Sequence, residues 1–385
     1  MISYIARPLF IVSILLFGTL VLALAQPQMK LKYKNSTVYA GIEVGSKGVK
    51  MSIIEVGKNT RREGSYNALR DTSSNTDFIS FTPATFSATN KAFTGLFKTA
   101  LNVYKIPSAR IYTTMSSGVK VQADKEKKND WLTLLSDSFR ANIHEPARRV
   151  EVVDVLQEAR LSHLGIVPEN RRYSTFLIDI GSGNTKGGYF PFGNDKDFKL
   201  FNLSWGTKSA ANAAEKRMGD DKTLTNFTKN VYRVMSGDAN PEIAYAVNVS
   251  NAYNMSDYVA FSGGIAWATA TLMYPELIDN PVVPVTFDDL VKFNELLLKN
   301  YPAVSDRSIM KTMENQPPEI RSNVQFEVKR VNQVFDQKSL IAGAALLQNI
   351  MRQFTGVYEK KQFYLVKNGQ VGWISAYVNQ SLSQQ

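Results

Sequence analysis

Apolar and polar positions alternate with a period of two from Val38 to Val56, interrupted by a single glycine-rich stretch. Val38, Ala40 and Ile42 lead into Gly45-Ser46-Lys47-Gly48, and Val49, Met51, Ile53 and Val56 resume the pattern beyond it. The spacing predicts strand, tight turn, strand. The same design returns over 174–190, where Thr175 to Ile180 is rich in β-formers, Gly181-Ser182-Gly183-Asn184 is the turn, and Gly187 to Phe190 continues. Two such hairpins about 135 residues apart imply an internally duplicated fold.

Between and after the hairpins the apolar period lengthens toward that of a helix. Helical spacing is read over 91–104, 131–142, 155–164, 208–218, 224–235 and 339–354, with strands at 109–114, 149–155 and 257–261. Ser262-Gly263-Gly264 opens an alanine-rich helix to Met273, and Thr286-Phe287-Asp288-Asp289 has the form of a capping box. Residues 57–90 are polar and turn-rich. At the C-terminus 362–367 and 370–377 flank Asn368-Gly369, the strongest short hairpin signal, so 355–385 reads as a β-hairpin extension.

Residues 1–25 differ from all that follows. Arg7 supplies a positive charge, 8–22 are almost wholly apolar, and Ala23-Leu24-Ala25 forms a small-x-small cleavage site before Gln26, the pattern of a signal peptide. Export to the periplasm is expected. Retention as an uncleaved anchor is the alternative, and only then would the chain touch a membrane; Lys30, Lys32 and Lys34 on the translocated side argue against it.

Composition narrows the chemistry. Forty-five Lys and Arg against 34 Asp and Glu give a formal charge of +11, which favours polyanions. Cysteine is absent, excluding disulfides, zinc–thiolate sites and thiol nucleophiles. His144 and His163 are the only histidines, so a metal would rest on oxygen ligands, as Mg²⁺, Mn²⁺ or Ca²⁺ does. His163, on an apolar helix, reads as a packing or surface residue.

In each hairpin a carboxylate ends the first strand before the glycines, Glu43 in one and Asp179 in the other. A glycine turn can cradle phosphate because successive amides converge on an anion, and flanking acids could hold a divalent ion. Candidate phosphate-binding residues are therefore Gly45, Ser46, Lys47, Gly181, Ser182, Gly183, Asn184, Thr185 and Lys186. Glu158, at the start of a helical segment, is either a surface acid paired with arginine or a group that positions water for phosphoryl transfer.

Glu43 to Val49, Glu158-Ala159-Arg160-Leu161-Ser162-His163-Leu164-Gly165, Asp179 to Thr185, Trp205-Gly206, Ser262-Gly263-Gly264-Ile265-Ala266 and Gly343-Ala344 occur in an order that resembles exopolyphosphatase/guanosine pentaphosphate phosphohydrolase (Ppx/GppA-type) proteins of the actin/hexokinase superfamily. The resemblance spans roughly residues 38–350. It implies an α/β chain of two ribonuclease-H-like lobes, the actin-like ATPase fold, with a phosphate-binding cleft between lobe I (36–156) and lobe II (157–354). It further implies hydrolysis of terminal phosphoanhydrides with Mg²⁺ or Mn²⁺, Glu158 and Asp179 as catalytic residues, Glu43 and Asp179 as metal ligands, and Gly263 and Gly264 as a third ligand-binding element. Polyphosphate or another phosphorylated anion is the implied partner; no specific nucleic acid is expected, and a homodimer is compatible with the sequence.

Three departures from the family pattern bear on function. Glu43 is longer by one methylene than the usual aspartate. Lys186 stands where the hydrolases carry glutamate. Gly118 and Val119 occupy a segment that usually brings an arginine to the phosphate chain, leaving Lys120 as the nearby cation. Two functions follow: a phosphoanhydride hydrolase, or a degenerate relative that binds a phosphorylated ligand as sensor or scaffold.

Overall fold

The computed structural model describes residues 29, 31–57, 67–250, 256–355, 361–367, 369 and 372–383. The expected signal segment, 1–25, lies outside them. Among the described residues no helix is long and apolar enough to cross a membrane.

Lobe I begins with the expected hairpin, β1 (Thr37–Val44) and β2 (Gly48–Val56), and extends it with β3 (Asn67–Asn75). Helix α1 (Pro83–Lys98) leads to β4 (Ile111–Met115), α2 (Ser117–Lys125), α3 (Asn129–Ile143) and β5 (Glu151–Val152). The sheet order is β3-β2-β1-β4-β5, an antiparallel meander followed by two parallel strands. Helix α4 (Val155–Ile166) then crosses to lobe II.

Lobe II repeats the design with β6 (Thr175–Ile180), β7 (Thr185–Tyr189) and β8 (Lys199–Leu203), followed by α5 (Thr207–Lys216), α6 (Leu224–Val234) and α7 (Asn240–Val249). Next come β9 (Tyr258–Gly263), α8 (Gly264–Met273), β10 (Val282–Val285), α9 (Phe287–Lys299), α10 (Asp306–Thr312), α11 (Pro318–Val334) and α12 (Gln337–Thr355). The chain ends with β11 (Gln362–Val366) and α13 (Gly372–Ser383). The sheet order β10-β11-β9-β6-β7-β8 again places a meander, β6-β7-β8, beside parallel β9 and β11. The duplication and the two-lobed actin-like architecture expected from the sequence are thus both present.

Each lobe has its own core. Ile42, Val44, Met51, Phe93 and Phe139 pack in the first, and Phe176, Phe201, Phe261, Phe293 and Phe354 in the second. Both central strands are buried on both faces toward the cleft, because helices cover each side of the sheet. Phe190 and Phe201 are fully buried, and Trp205 packs against the lobe II core.

Three expectations are corrected. The polar run 57–90 contains β3, whose exposed residues pair at a sheet edge where one face meets solvent. Helix α1 starts at Pro83, eight residues before the expected start at 91, because Thr82 and Thr85 form a reciprocal cap. The C-terminal segment is not a hairpin. β11 inserts between β9 and β10 in lobe II, and Gly372–Ser383 form α13, which returns to pack on α4 and β1. Trp373 and Tyr377, like Ile374 and Val378, are spaced four apart and buried, so helical periodicity overrides the turn signal. Asn368 itself lies outside the described residues. Where α4 and α13 cross, a Cβ on Gly165 would lie 2.0 Å from the Gly372 carbonyl oxygen, so the crossing requires glycine.

Candidate functional site

The two hairpin tips face one another across the cleft. Each is closed by the same bond, Gly45 N to Gly48 O at 2.8 Å and Gly181 N to Asn184 O at 3.0 Å. Lobe II fixes its tip further, with Thr207 N donating to Gly181 O and Lys208 N to Ser182 O from the start of α5. Among the described residues the amides of Ser46, Lys47, Ser182 and Gly183 donate to no backbone carbonyl, so both tips hold unspent donors. The tips approach closely: a Cβ on Gly183 would lie 2.7 Å from Ser46 Oγ. Gly118, on α2, is wedged between them, since a Cβ there would meet Ser46 Oγ and Asn184 Oδ1 at 3.0 Å each. A side chain at Gly118 would press on both tips, and Lys120, the nearby cation, pairs with exposed Asp124.

The pocket between the tips has a volume of about 230 Å³. Its lining includes Glu43, Gly45, Ser46, Lys47, Glu158, Asp179, Gly181, Ser182, Gly183, Asn184, Lys186, Gly263 and Gly264, so nearly all expected site residues converge. Thr185 does not take part, because its Oγ1 donates to Trp205 O at 2.7 Å inside lobe II. Lys47, Lys50, Lys186 and Arg330 face Glu43, Asp71, Glu158 and Asp179 in this pocket, four cations against four acids. The surplus positive charge of the chain therefore lies elsewhere, and an anion here must be gripped mainly by backbone amides.

The floor of the pocket is an ion triad. Lys186 Nζ lies 2.9 Å from Glu158 Oε1 and 3.0 Å from Asp179 Oδ2. Glu158 Oε2 accepts the Ser117 amide at 2.6 Å, and Asp179 Oδ1 accepts Ser262 Oγ at 3.1 Å. Burial opposes the lysine charge, but Asp179 and Glu158 outweigh it and hold the ammonium well above the ordinary lysine range. Glu43 is buried beside them, with Oε2 accepting Trp373 Nε1 at 3.2 Å from α13. Burial pushes its carboxyl up, opposed by Lys50.

This donor set does not fit a divalent ion. The ammonium of Lys186 occupies the space between Glu158 and Asp179, and among the described residues no three His, Cys, Asp or Glu side chains are placed to hold a metal.

Contacts across the mouth hold the lobes together. Lys208 of α5 pairs with Asp77 of lobe I, Arg330 of α11 reaches Asp71 at 3.4 Å, and Lys47 donates to Val334 O while lying over the Phe335 ring. The same ring lies against Gly264, where a Cβ would be 3.1 Å from it. Gly263 turns the chain in the left-handed region at φ +92° beside Ile180 O. His163 lies away from the pocket, buried, with Nε2 3.0 Å from Thr175 O.

Sequence reasoning missed Ser117, Ser262, Trp373, Lys50 and Arg330. One signal was available for Lys50. Both hairpins carry an acid followed seven residues later by lysine, Glu43 with Lys50 and Asp179 with Lys186, and both pairs lie directly opposite in register.

No family model matches the sequence, and no curated protein matches it. Solved structures do match the fold. A Ppx/GppA family member from Aquifex aeolicus is 16% identical, with a TM-score of 0.56 over 91% of this chain and 99% of its own. An exopolyphosphatase-like protein is 15% identical, with a TM-score of 0.58 over 91% and 100%. An exopolyphosphatase from Cytophaga hutchinsonii is 13% identical, with a TM-score of 0.53 over 89% and 98%. The likeness covers both lobes and establishes the shared fold.

Proposed function

We propose that the cleft takes the end of a phosphate chain and hydrolyses its terminal phosphoanhydride bond, as an exopolyphosphatase does. The observation that carries this reading is the pair of facing glycine tips with unspent amides lining one pocket with Glu158. Unpaired amides in a fixed turn can donate to an anion with little reorganisation as charge develops on the transferred phosphoryl group. Glu158 orients a water whose oxygen bonds to the terminal phosphorus. The bridging P–O bond breaks with its electron pair on the departing chain, the water proton passes to solvent, and the products are orthophosphate and a chain one unit shorter. Lys186, fixed beside Glu158, supplies positive charge to phosphate oxygens. If the N-terminal segment exports the chain, an inorganic phosphate polymer is a better substrate than a nucleotide, because nucleotides are scarce outside the cytoplasm.

A second reading, a clamp that binds phosphate chains without cleaving them, is favoured by one feature. Both Glu158 oxygens are already engaged, one by Lys186 and one by the Ser117 amide. Phosphate release from long-chain polyphosphate, beside a Glu158→Gln control, separates the two. Release that the control abolishes supports hydrolysis. Thermal stabilisation by polyphosphate without release supports the clamp, and neither response removes both.

A further inference from the structure

We infer that Lys186 is a built-in cation that replaces the divalent metal of this cleft, so that the protein engages phosphate without one. The inference rests on the proposed phosphate site but concerns what fills its floor.

Three observations lead to it. The ammonium bridges Glu158 and Asp179, the two acids best placed to share an ion, at 2.9 and 3.0 Å. Its side chain is 5% exposed and Glu158 is 2% exposed, so water does not screen the pair and a competing ion would have to displace a buried lysine. Three of the remaining carboxylate oxygens are also engaged, Glu158 Oε2 by the Ser117 amide, Asp179 Oδ1 by Ser262 and Glu43 Oε2 by Trp373. A divalent ion in such a cleft is held by one or two carboxylates with water and phosphate completing its shell, and here the position between the two acids already holds a positive charge.

The duplicated hairpin supports the same assignment independently. In lobe I the acid and lysine face each other across the strands in the register seen in lobe II, Glu43 opposite Lys50 and Asp179 opposite Lys186. Directly opposed residues present side chains on one face of a sheet. Each hairpin acid thus faces a lysine across its strands, and Lys186 is the one that bridges two acids.

The test titrates Mn²⁺ alone into the purified full chain, following free ion by electron paramagnetic resonance. Wild type is expected to show no tight site, whereas Lys186→Glu should bind Mn²⁺ about a hundredfold more tightly by exchanging a positive for a negative charge at the floor. Lys186→Met, which keeps the side-chain volume, should gain a weaker site. Affinity of wild type for tripolyphosphate should be the same with EDTA as with Mg²⁺. Tight Mn²⁺ binding by wild type that Asp179→Asn abolishes would overturn the inference even if neither lysine variant folds. So would folded Lys186→Glu and Lys186→Met that both ignore Mn²⁺. Failure to bind tripolyphosphate at all would refute the phosphate site while leaving the metal titration to stand on its own.

Discussion

Replacing Lys186 with methionine keeps most of the side-chain volume and removes one charge. Each ion contact of Lys186, at 2.9 and 3.0 Å, represents roughly 5 kcal/mol of Coulomb attraction at an effective dielectric of about 20. Removing three ions from water costs several kcal/mol per ion, so the assembled triad lies near balance. Truncation breaks that balance by leaving Glu158 and Asp179 buried without a counter-charge and with Glu43 close by. The expected loss is about 3–5 kcal/mol at pH 7, the range for orphaning a buried ion pair. Urea unfolding followed by tryptophan fluorescence measures it as a shift in midpoint at constant slope. Adding Asp179→Asn and Glu158→Gln to Lys186→Met should recover most of the loss, because the orphaned charges are then gone. A single variant within about 1 kcal/mol of wild type would refute the burial argument.

Three further perturbations test other parts of the structure. Burial pushes the Glu55 carboxyl up, but bonds from the Lys32 and Tyr33 amides, Ser36 and Asn67 outweigh it and hold it down at about 2. Glu55→Gln should therefore cost about 2–3 kcal/mol at pH 7, measured by urea unfolding. Because the folded value is depressed, this stability is present above the ordinary carboxylate range and fades as pH falls toward 2, and a loss that persists unchanged at pH 2 would count against it. Burial pushes His163 down to about 4, so the chain loses stability as pH falls from about 6.5 to 4, by roughly 3 kcal/mol in total; the slope over that window should flatten in His163→Gln. Gly118→Arg should weaken tripolyphosphate binding by at least tenfold, roughly 1.4 kcal/mol or more, because a side chain there presses on Ser46 and Asn184 of the two tips; calorimetry showing tighter binding would contradict that geometry.

The parts of this molecule that were legible in the sequence are those where local pattern and tertiary role agree. Both glycine hairpins, the cap at Thr286 and most helices belong to that class, because the side chains that set the period also face the core. β3 was hidden because an edge strand with one solvated face has few apolar residues to reveal a period. The C-terminal helix was hidden by the opposite fault, a strong local turn signal next to a segment whose burial is decided by α4 and β1. Convergence of Glu43, Glu158 and Asp179 was reached through the family resemblance. Their partners were not legible, since Ser117, Ser262 and Trp373 are joined to them only by the fold, across 41, 83 and 330 residues.

Glu158 is where the two lobes meet chemically. It sits on α4, the helix that leaves lobe I and packs on β7 and β8 of lobe II. One of its oxygens takes an amide from α2 of lobe I, and the other takes the ammonium from β7 of lobe II. Separation of the lobes must therefore stretch one of these two bonds. The lysine contact is the one shared with Asp179 and buried within lobe II, so the Ser117 bond is the natural one to yield. Opening would then free Glu158 Oε2 while leaving the lysine in place, giving the open cleft a carboxylate oxygen able to accept a water. Glu158 Oε2 is thus the oxygen that a separation of the lobes would release, while Oε1 stays with Lys186.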